Sequence, residues 1–434
     1  MSLIKLQHHE RSQQIARLFT ELRRHKIPKK TLANKIAADL SLNPTAATSS
    51  PLSLIASELR RAYTPDAFVV WRNITVPPEL LNAFSSLVFF PVEAIGSLFA
   101  AQGAEQCLLI AADKIGIPRS VCNFVRTIPA SQYLNICASP DFIINTAKGC
   151  EGISNVYSFA AHHYQAPHYL INVPYNAGDN INAIKYVASQ LYELTHLIEK
   201  QTGETLSSAN LHNSLAYAHN AYTAFKAALH LRSRYPLLDP PSVFQSLTIG
   251  VSPYYGKPEF TAFAQHMLQS YQERLQNDDQ VKQQPQRRLM WMFLMPYYPN
   301  DIVEYIERDG LIRFVWEDIS ELNFKGCDLY DPYDDLAKHL LNSRESILPQ
   351  QRFKLLLEQA EEHRIDGVVM LAMPHCGVYA MQYPLLQQLF LREQIPVLTL
   401  DACCIDSHSF NPSQVRTRID AFSEMLLNKP LRWQ

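Results

Sequence analysis

The sequence lacks long apolar runs and has few of the residues that build phosphate-binding loops. No stretch of about eighteen consecutive apolar residues occurs, and the N-terminal segment MSLIKLQHHERSQQ lacks the apolar core of a signal peptide. Glycine is scarce, at 13 of 434 residues, and neither G-x-G-x-x-G nor G-x-x-x-x-G-K-[ST] is present. These absences predict a cytoplasmic protein without a membrane span and without the usual phosphate-binding loop for a dinucleotide or ATP.

The sequence also lacks an excess of either charge. Lysine and arginine number 39 against 41 acidic residues, a net charge of -2, so nothing predicts a nucleic-acid partner. Residues 1–62 are the exception, with eleven basic side chains against four acidic ones. Helical periodicity in this segment predicts a basic leader, which could dock an acidic partner or present a solvated helical face.

After the leader, short apolar runs alternate with amphipathic helices, which predicts parallel sheets with crossover helices. The predicted strands are FVVWRNI, SLVFFPV, QCLLIAAD, DFIINTA and YLINVP, followed later by RLMWMFLM, IRFVWEDI, GVVMLAM and PVLTLD. Two long helices and the proline-rich LLDPPS indicate a boundary near residue 240, and QNDDQVKQQPQRR and CDLYDPYDD are predicted loops. The predicted fold is therefore α/β: a helical leader (1–62) and two doubly wound Rossmann-like parallel-sheet domains (63–240 and 241–434).

Eight cysteines are present, but no pair of C-x-x-C motifs. In a reducing compartment, free thiols, metal ligands and cluster ligands are all open readings. Cys122, Cys150 and Cys376 each follow a short apolar run, in SVCNFVRT, TAKGCEG and AMPHCGV. Thiols at the carboxyl ends of buried strands point into the crevice where α/β sheets hold ligands, so these three could converge on one inorganic group. A zinc site and simple burial as small apolar side chains are the alternatives.

The remaining cysteines divide into three kinds. Cys107 and Cys137 lie within apolar runs and are predicted to be ordinary buried side chains. Cys327 lies in a polar loop. Cys403 and Cys404 follow a predicted strand and could approach the same crevice as the first three.

Two other side chains are functional candidates with simpler alternatives. His375 precedes Cys376 and could donate a hydrogen bond at the site or act on a substrate, although a loop histidine can also be merely solvated. Glu93 opens a helix directly after FFP, where favourable capping electrostatics are a sufficient explanation.

Six segments, in order along the chain, carry a family resemblance. They are FFPVEAIGSLFAAQGAEQ, PRSVCNFVRT, DFIINTAKGCEG, APHYLINVP, RIDGVVMLAMPHCGVYAMQYPLLQQLFLREQIPVLTLD and QVRTRIDAFSEML. From the first of these segments to the C-terminus the chain resembles the 2-hydroxyacyl-CoA dehydratases and their relatives, the benzoyl-CoA reductases. The match departs from the usual pattern at TLDACCID, with its paired cysteine, and at Glu151 of KGCEG.

The resemblance implies two α/β domains that hold a four-iron four-sulfur (4Fe-4S) cluster through Cys122, Cys150 and Cys376. It implies a homologous second subunit and an ATP-dependent activator protein that delivers one electron. The implied substrate is a 2-hydroxyacyl-CoA thioester, which binds the open iron, becomes a ketyl radical anion and loses water to give the enoyl-CoA.

Other residues gain implied roles from the same resemblance. Glu93 falls in the P-x-E helix start and Arg126 in CNFVRT, and each is a candidate to shape the pocket or bind a substrate anion. For Arg126 the alternative is a surface charge without a role in binding. A reductase of the benzoyl-CoA or double-cubane type and a non-catalytic scaffold subunit remain the alternative functions.

Overall fold

The computed structural model describes residues 51–239, 252–319 and 331–433, apart from the single residues 345, 374, 381 and 431. Most of the predicted basic leader, residues 1–50, and Cys327 lie outside the described residues.

Two four-stranded parallel sheets organise the part of the chain that the structure describes. The first sheet has the order β2-β1-β3-β4, with β1 Phe68–Arg72, β2 Leu87–Phe89, β3 Phe142–Thr146 and β4 His168–Ile171. The second has the order β6-β5-β7-β8, with β5 Arg287–Met292, β6 Ile312–Glu317, β7 Gly367–Leu371 and β8 Val397–Leu400. Within each sheet every pairing is parallel, and the two orders are equivalent. The predicted α/β class with two Rossmann-like sheets is confirmed.

Helices connect the strands of the first sheet and continue beyond it. They are α1 Pro51–Ala62, α2 Pro78–Asn82, α3 Ala94–Ala101, α4 Glu105–Lys114, α5 Asn123–Tyr133, α6 Glu151–Tyr164, α7 Ile181–Thr202 and α8 Ser208–Arg234. The long helices α7 and α8 have side-chain N-caps at Asn180 and Ser207, which explains where each begins.

The helices of the later part of the chain are α9 Pro258–Asn277, α10 Ile302–Ile306, α11 Pro332–Leu341, α12 Pro349–Glu362, α13 Tyr383–Arg392 and α14 Pro412–Asn428. Proline occupies the first turn of five of these six helices, where its missing N–H costs no hydrogen bond.

The core is continuous across the two sheets. One buried cluster joins Trp71 of the first sheet to Trp291 of the second, and helix α8 contributes Phe225 to it. A second cluster covers the other face of the first sheet, where Leu336 of α11 packs with Leu191 of α7. Strands buried on both faces need no polar alternation, which is why β7 reads GVVML.

Both sheets reverse their strand order at equivalent points, between β1 and β3 and between β5 and β7. Ligands of open α/β sheets bind outside the carboxyl ends of the strands at such points. Cys150 follows β3 and Cys376 follows β7, so the two residues occupy equivalent positions at the two crevices.

The prediction for QCLLIAAD is wrong, because this run lies in helix α4. The buried residues are Leu108, Leu109, Ala111 and Ala112, and Ile110 between them is exposed. Buried positions three and four residues apart are typical of a helix, whereas a half-buried strand would bury every second residue. Consequently Cys122 does not follow a strand. It precedes α5, in the connection between two helices.

The predicted loops are only partly confirmed. Within CDLYDPYDD, helix α11 already begins at Pro332, with the Asp331 side chain accepting from the Asp334 amide. Within QNDDQVKQQPQRR, a short 3-10 turn spans Asp279–Lys282 and β5 begins at Arg287. The boundaries near residues 62 and 240 stay predictions. Among the described helices, none is long and apolar enough to cross a membrane.

Candidate functional site

The three cysteines singled out from the sequence lie near one another in the structure. The sulfur of Cys376 is close enough to those of Cys150 and Cys122 to interact with both electrostatically. Cys122 and Cys150 are the residues immediately before α5 and α6, and Cys376 lies in the turn after β7. The fold thus brings together thiols that are remote along the chain, two from the first sheet's side and one from the second's.

Each of these sulfurs has the same local environment. The backbone N–H groups two and three residues later in the sequence favour its anionic form. For Cys122 these are the amides of Phe124 and Val125, and for Cys376 those of Val378 and Tyr379. Amides at the start of a helix or turn stabilise negative charge, so all three positions suit a thiolate.

Burial opposes these amides in the protein without a bound group. It is the largest cause that raises the pKa of Cys122 to about 12, and the neighbouring Cys376 sulfur raises it further. Burial also raises the pKa of Cys150 and of Cys376. The thiols are therefore protonated at neutral pH, and a soft metal group that bound them would displace these protons and offset the charge repulsion among the resulting thiolates.

Two further cysteines lie beside this trio. The Cys403 sulfur interacts with Cys122 and Cys376, and the buried Cys404 thiol donates a hydrogen bond to it. That hydrogen bond is the largest cause lowering the pKa of Cys403 to about 7, whereas the pKa of Cys404 is raised. The sequence placed both after a strand, and the structure confirms that they follow β8.

Glu93 is almost fully buried and is close enough to Cys150 to interact with its sulfur electrostatically. Its Oε2 accepts from the Ile74 amide at 3.2 Å, and the Tyr157 hydroxyl is 3.1 Å from its Oε1. Burial raises the pKa of Glu93 to about 7, although these hydrogen bonds and the Arg72 charge act against it. A carboxyl that titrates near neutrality beside the thiols can hold or accept a proton there.

Arg126 is not a surface charge but is buried in the first turns of α5. Its guanidinium pairs with Asp113 and donates to Asn123 Oδ1 at 2.7 Å. Asp113 also accepts from the exposed Arg119 at 2.7 Å. Asn123 in turn donates to Asp406 Oδ2 at 3.3 Å, which links α5 to the loop after β8.

A cavity of about 740 Å3 adjoins the thiols. Its lining includes Asn123, Arg126, His375, Cys403, Asp406 and Arg119. His375 is exposed and lies at this wall. Of the site residues predicted from the sequence, Arg126 and His375 line this cavity. Glu93 does not line it and lies nearer to Cys150.

The sequence did not single out Tyr157, Asn123 and Asp406. Tyr157 lies in the middle of α6, where an aromatic residue suggests only packing. Asn123 directly follows the predicted ligand Cys122, and this adjacency could have identified it as a residue of the site. Their roles depend on contacts between segments that are distant in sequence, such as Asn123 with Asp406.

Within the described ranges, no three histidine, cysteine or acidic side chains surround a position for a single metal ion. The ligands of one zinc ion all lie close to it, at about 2.3 Å for cysteine sulfur and about 2.0–2.2 Å for nitrogen or oxygen. An iron–sulfur cluster spreads its thiolates over several irons and takes soft sulfur donors supported by hydrogen bonds. Three converging cysteines, each beside two amide groups, are a donor set that fits such a cluster.

The fold and site together define an α/β protein with two parallel sheets whose loops bring cysteine thiols together beside a large cavity. The family description "2-hydroxyglutaryl-CoA dehydratase, D-component" matches residues 73–426. The chain belongs to this family, which confirms the resemblance seen in the sequence.

Two relatives illustrate how distant the similarity is. The alpha subunit of (R)-phenyllactyl-CoA dehydratase from Clostridium sporogenes is 20% identical over 374 residues, covering 83% of this chain and 90% of that subunit. Subunit alpha of (R)-2-hydroxyglutaryl-CoA dehydratase from Acidaminococcus fermentans is 22% identical over 293 residues, covering 66% of this chain and 60% of that subunit. Membership of the family points to a component of a 2-hydroxyacyl-CoA dehydratase.

Proposed function

We propose that this chain is the iron–sulfur subunit of a radical 2-hydroxyacyl-CoA dehydratase. The reaction removes water from a 2-hydroxyacyl-CoA and yields an enoyl-CoA after activation by one electron. The observation that supports the proposal is the proximity of the Cys122, Cys150 and Cys376 thiols, near a cavity, in a member of this family.

Cys122, Cys150 and Cys376 would hold a 4Fe-4S cluster, which supplies a low-potential electron to the thioester when it is bound. The amide groups at each sulfur stabilise the thiolate charge and tune that potential. Cys376 is buried and Cys122 is partly buried, so the surrounding protein limits the access of water to these sulfurs.

Glu93 is the proposed acid–base residue of this chain. Elimination of water requires a proton for the departing hydroxyl group and an acceptor for the β-proton. The Cys150 sulfur interacts with the carboxyls of Glu93 and Glu151, and of these only Glu93 is buried. Since the pKa of Glu93 is raised to about 7, its Oε atoms can both give and take a proton at neutral pH.

The cavity is the proposed entry for the CoA thioester. Arg126 is already paired with Asp113, so it positions Asn123 and the start of α5. Arg119 is exposed at the cavity and is the better candidate to contact an anionic group of the substrate, with His375 nearby on the same wall.

The proposed partners are a homologous second subunit and an ATP-dependent activator protein in the cytoplasm. Two relatives of the chain are named as alpha subunits of dehydratases, which supports a partner subunit. Dehydration causes no net oxidation or reduction, so neither the substrate nor the product supplies the activating electron. A separate protein must deliver it.

The test is anaerobic assay of the chain with its second subunit, activator and ATP on a 2-hydroxyacyl-CoA. We expect enoyl-CoA to form over many turnovers per electron supplied. Cys150→Ala should lower turnover by more than about 100-fold, whereas Cys107→Ala, a thiol outside the trio, should not change it. Consumption of electrons in proportion to product would instead identify a reductase, and wild-type protein without iron would identify a scaffold subunit.

A further inference from the structure

Cys403 is a fourth thiol at the site, contributed by the loop after β8. Its sulfur interacts with those of Cys122 and Cys376, the two members of the trio that come from different sheets. The Cys403 sulfur therefore lies near both the cysteine contributed by the first sheet's side and the cysteine contributed by the second sheet.

The Cys403 sulfur is surrounded by hydrogen-bond donors. They are the Cys404 thiol, the Asn123 side-chain amide and the backbone amides of Ile405 and Asp406. The two backbone amides are again those two and three residues later, which is the arrangement at Cys122, Cys150 and Cys376. Cys403 thus shares the local backbone arrangement of the trio, and it lines the same cavity wall as Asn123 and His375, the chain neighbours of Cys122 and Cys376.

The loop that carries Cys403 is fixed in place. The Cys403 amide donates to Ser409 Oγ at 2.8 Å, and Asp406 accepts from Gln106 Nε2 at 2.8 Å. Since Gln106 belongs to α4, the loop after β8 is tied to the side of the site that provides Cys122.

Cys403 also differs from the trio in one respect. It lines the cavity of about 740 Å3, whereas Cys122, Cys150 and Cys376 are not among the lining residues. A molecule that enters this cavity therefore meets the Cys403 sulfur before the other three.

We propose that Cys403 supplies a fourth thiolate ligand to the iron–sulfur group held by Cys122, Cys150 and Cys376, on the side that faces the cavity. This inference rests on the proposed function. Three cysteines leave one of the four irons without a protein ligand, and Cys403 would occupy that position when no substrate is bound. An incoming substrate would then displace the Cys403 sulfur from this iron. This exchange of ligands transfers no electrons.

The test measures how firmly the fourth iron is held. Anaerobically purified wild-type protein, Cys403→Ala, Cys403→Ser and the control Cys107→Ala are titrated with ferricyanide. This oxidant takes electrons from the cluster, is reduced to ferrocyanide, and releases an iron that lacks a thiolate ligand, leaving a three-iron cluster. Released iron and the EPR signal of the three-iron cluster are the readouts.

We expect wild-type protein and Cys107→Ala to keep their iron, because each iron has a thiolate. Both Cys403 variants should bind the cluster but release about one iron in four, with the three-iron signal appearing. Equal release from wild-type protein and Cys403→Ala, with iron present in both, would overturn the inference and leave the proposed function standing. Wild-type protein purified without iron would overturn both. Cys403→Ser tests the same ligand with almost no change of volume, so misfolding of the alanine variant does not obscure the result.

Discussion

At the scale of single residues, the site combines groups that burial alone would disfavour. Glu93 is almost fully enclosed, and its hydrogen bonds to Ile74 and Tyr157 do not restore the ordinary acidity of a carboxyl. Such a shifted group costs stability wherever its charged form is favoured in the unfolded chain. A raised pKa at Glu93 is therefore measurable as a pH dependence of folding as well as of activity.

We expect the unfolding free energy of wild-type protein, relative to Glu93→Gln, to fall as the pH rises from about 4.5 to about 7. In this range the native state retains a proton at Glu93 that the unfolded chain has released. The change should be about 1.4 kcal/mol per pH unit at most, and about 2–3 kcal/mol in total. Denaturant titrations at several pH values measure it.

Glu79→Gln is a matched control for this prediction. Burial raises the pKa of Glu79 to about 7 as well, but Glu79 lies in α2 and is not among the neighbours of Cys150. The unfolding free energy of wild-type protein relative to Glu79→Gln should show the same pH dependence. Glu79→Gln should retain dehydration activity, whereas Glu93→Gln should lose it. Parallel stability curves for wild-type protein and Glu93→Gln would contradict the raised pKa.

At the scale of secondary-structure elements, α5 sets the position of Cys122. This helix packs closely on α3, where a Cβ added at Gly96 would overlap Thr127 Oγ1 and lie 3.1 Å from Thr127 Cβ. Thr127 is held in this orientation by a 2.7 Å hydrogen bond from its hydroxyl to the Phe124 carbonyl. The close approach therefore fixes the helix that begins beside the first thiol.

Gly96→Ala should destabilise the fold by about 1–3 kcal/mol through overpacking and should reduce bound iron by moving α5. Adding Thr127→Ala should recover part of both losses, because it removes Oγ1 and the methyl group. Gly377→Ala, which meets nothing within 4 Å, should change stability by less than about 0.5 kcal/mol. Equal effects of the two single substitutions in thermal unfolding would contradict the packing argument.

Elements also show what the sequence could predict. Strands β5, β6, β7 and β8 follow from their runs because each combines apolar or β-branched residues with clear helical neighbours. The run QCLLIAAD was ambiguous, since a short apolar segment can be a buried face of a helix as readily as a strand. Two of the three thiol positions followed from strand ends, while Cys122 was selected for a reason that the structure does not support.

At the scale of the whole molecule, the site depends on a seam between α4, α5 and the loop after β8. Asp406 accepts from Gln106 at 2.8 Å and from Asn123 at 3.3 Å. Glu105 also accepts from the Ser407 amide at 3.3 Å. No local pattern predicts these contacts, because the partners are separated by most of the chain.

Asp406→Ala should weaken this seam and loosen the loop that carries Cys403. We expect a loss of about 1–3 kcal/mol in unfolding free energy and faster amide hydrogen exchange in residues 403–409 and 105–107. Asp401→Ala, in the same region, removes only an exposed ion pair with Arg418 and should cost less than about 1 kcal/mol. Unchanged exchange in Asp406→Ala would show that the seam does not hold the loop.

The proposed iron–sulfur cluster is held by three thiols that are distant along the chain. The most direct measurement is the iron and acid-labile sulfide content of the anaerobically purified protein, compared with Cys122→Ala, Cys150→Ala and Cys376→Ala. We expect about four irons and four sulfides per chain in the wild-type protein and a large, similar loss in all three variants. Wild-type protein without iron, or any one of these variants with a full complement, would contradict it.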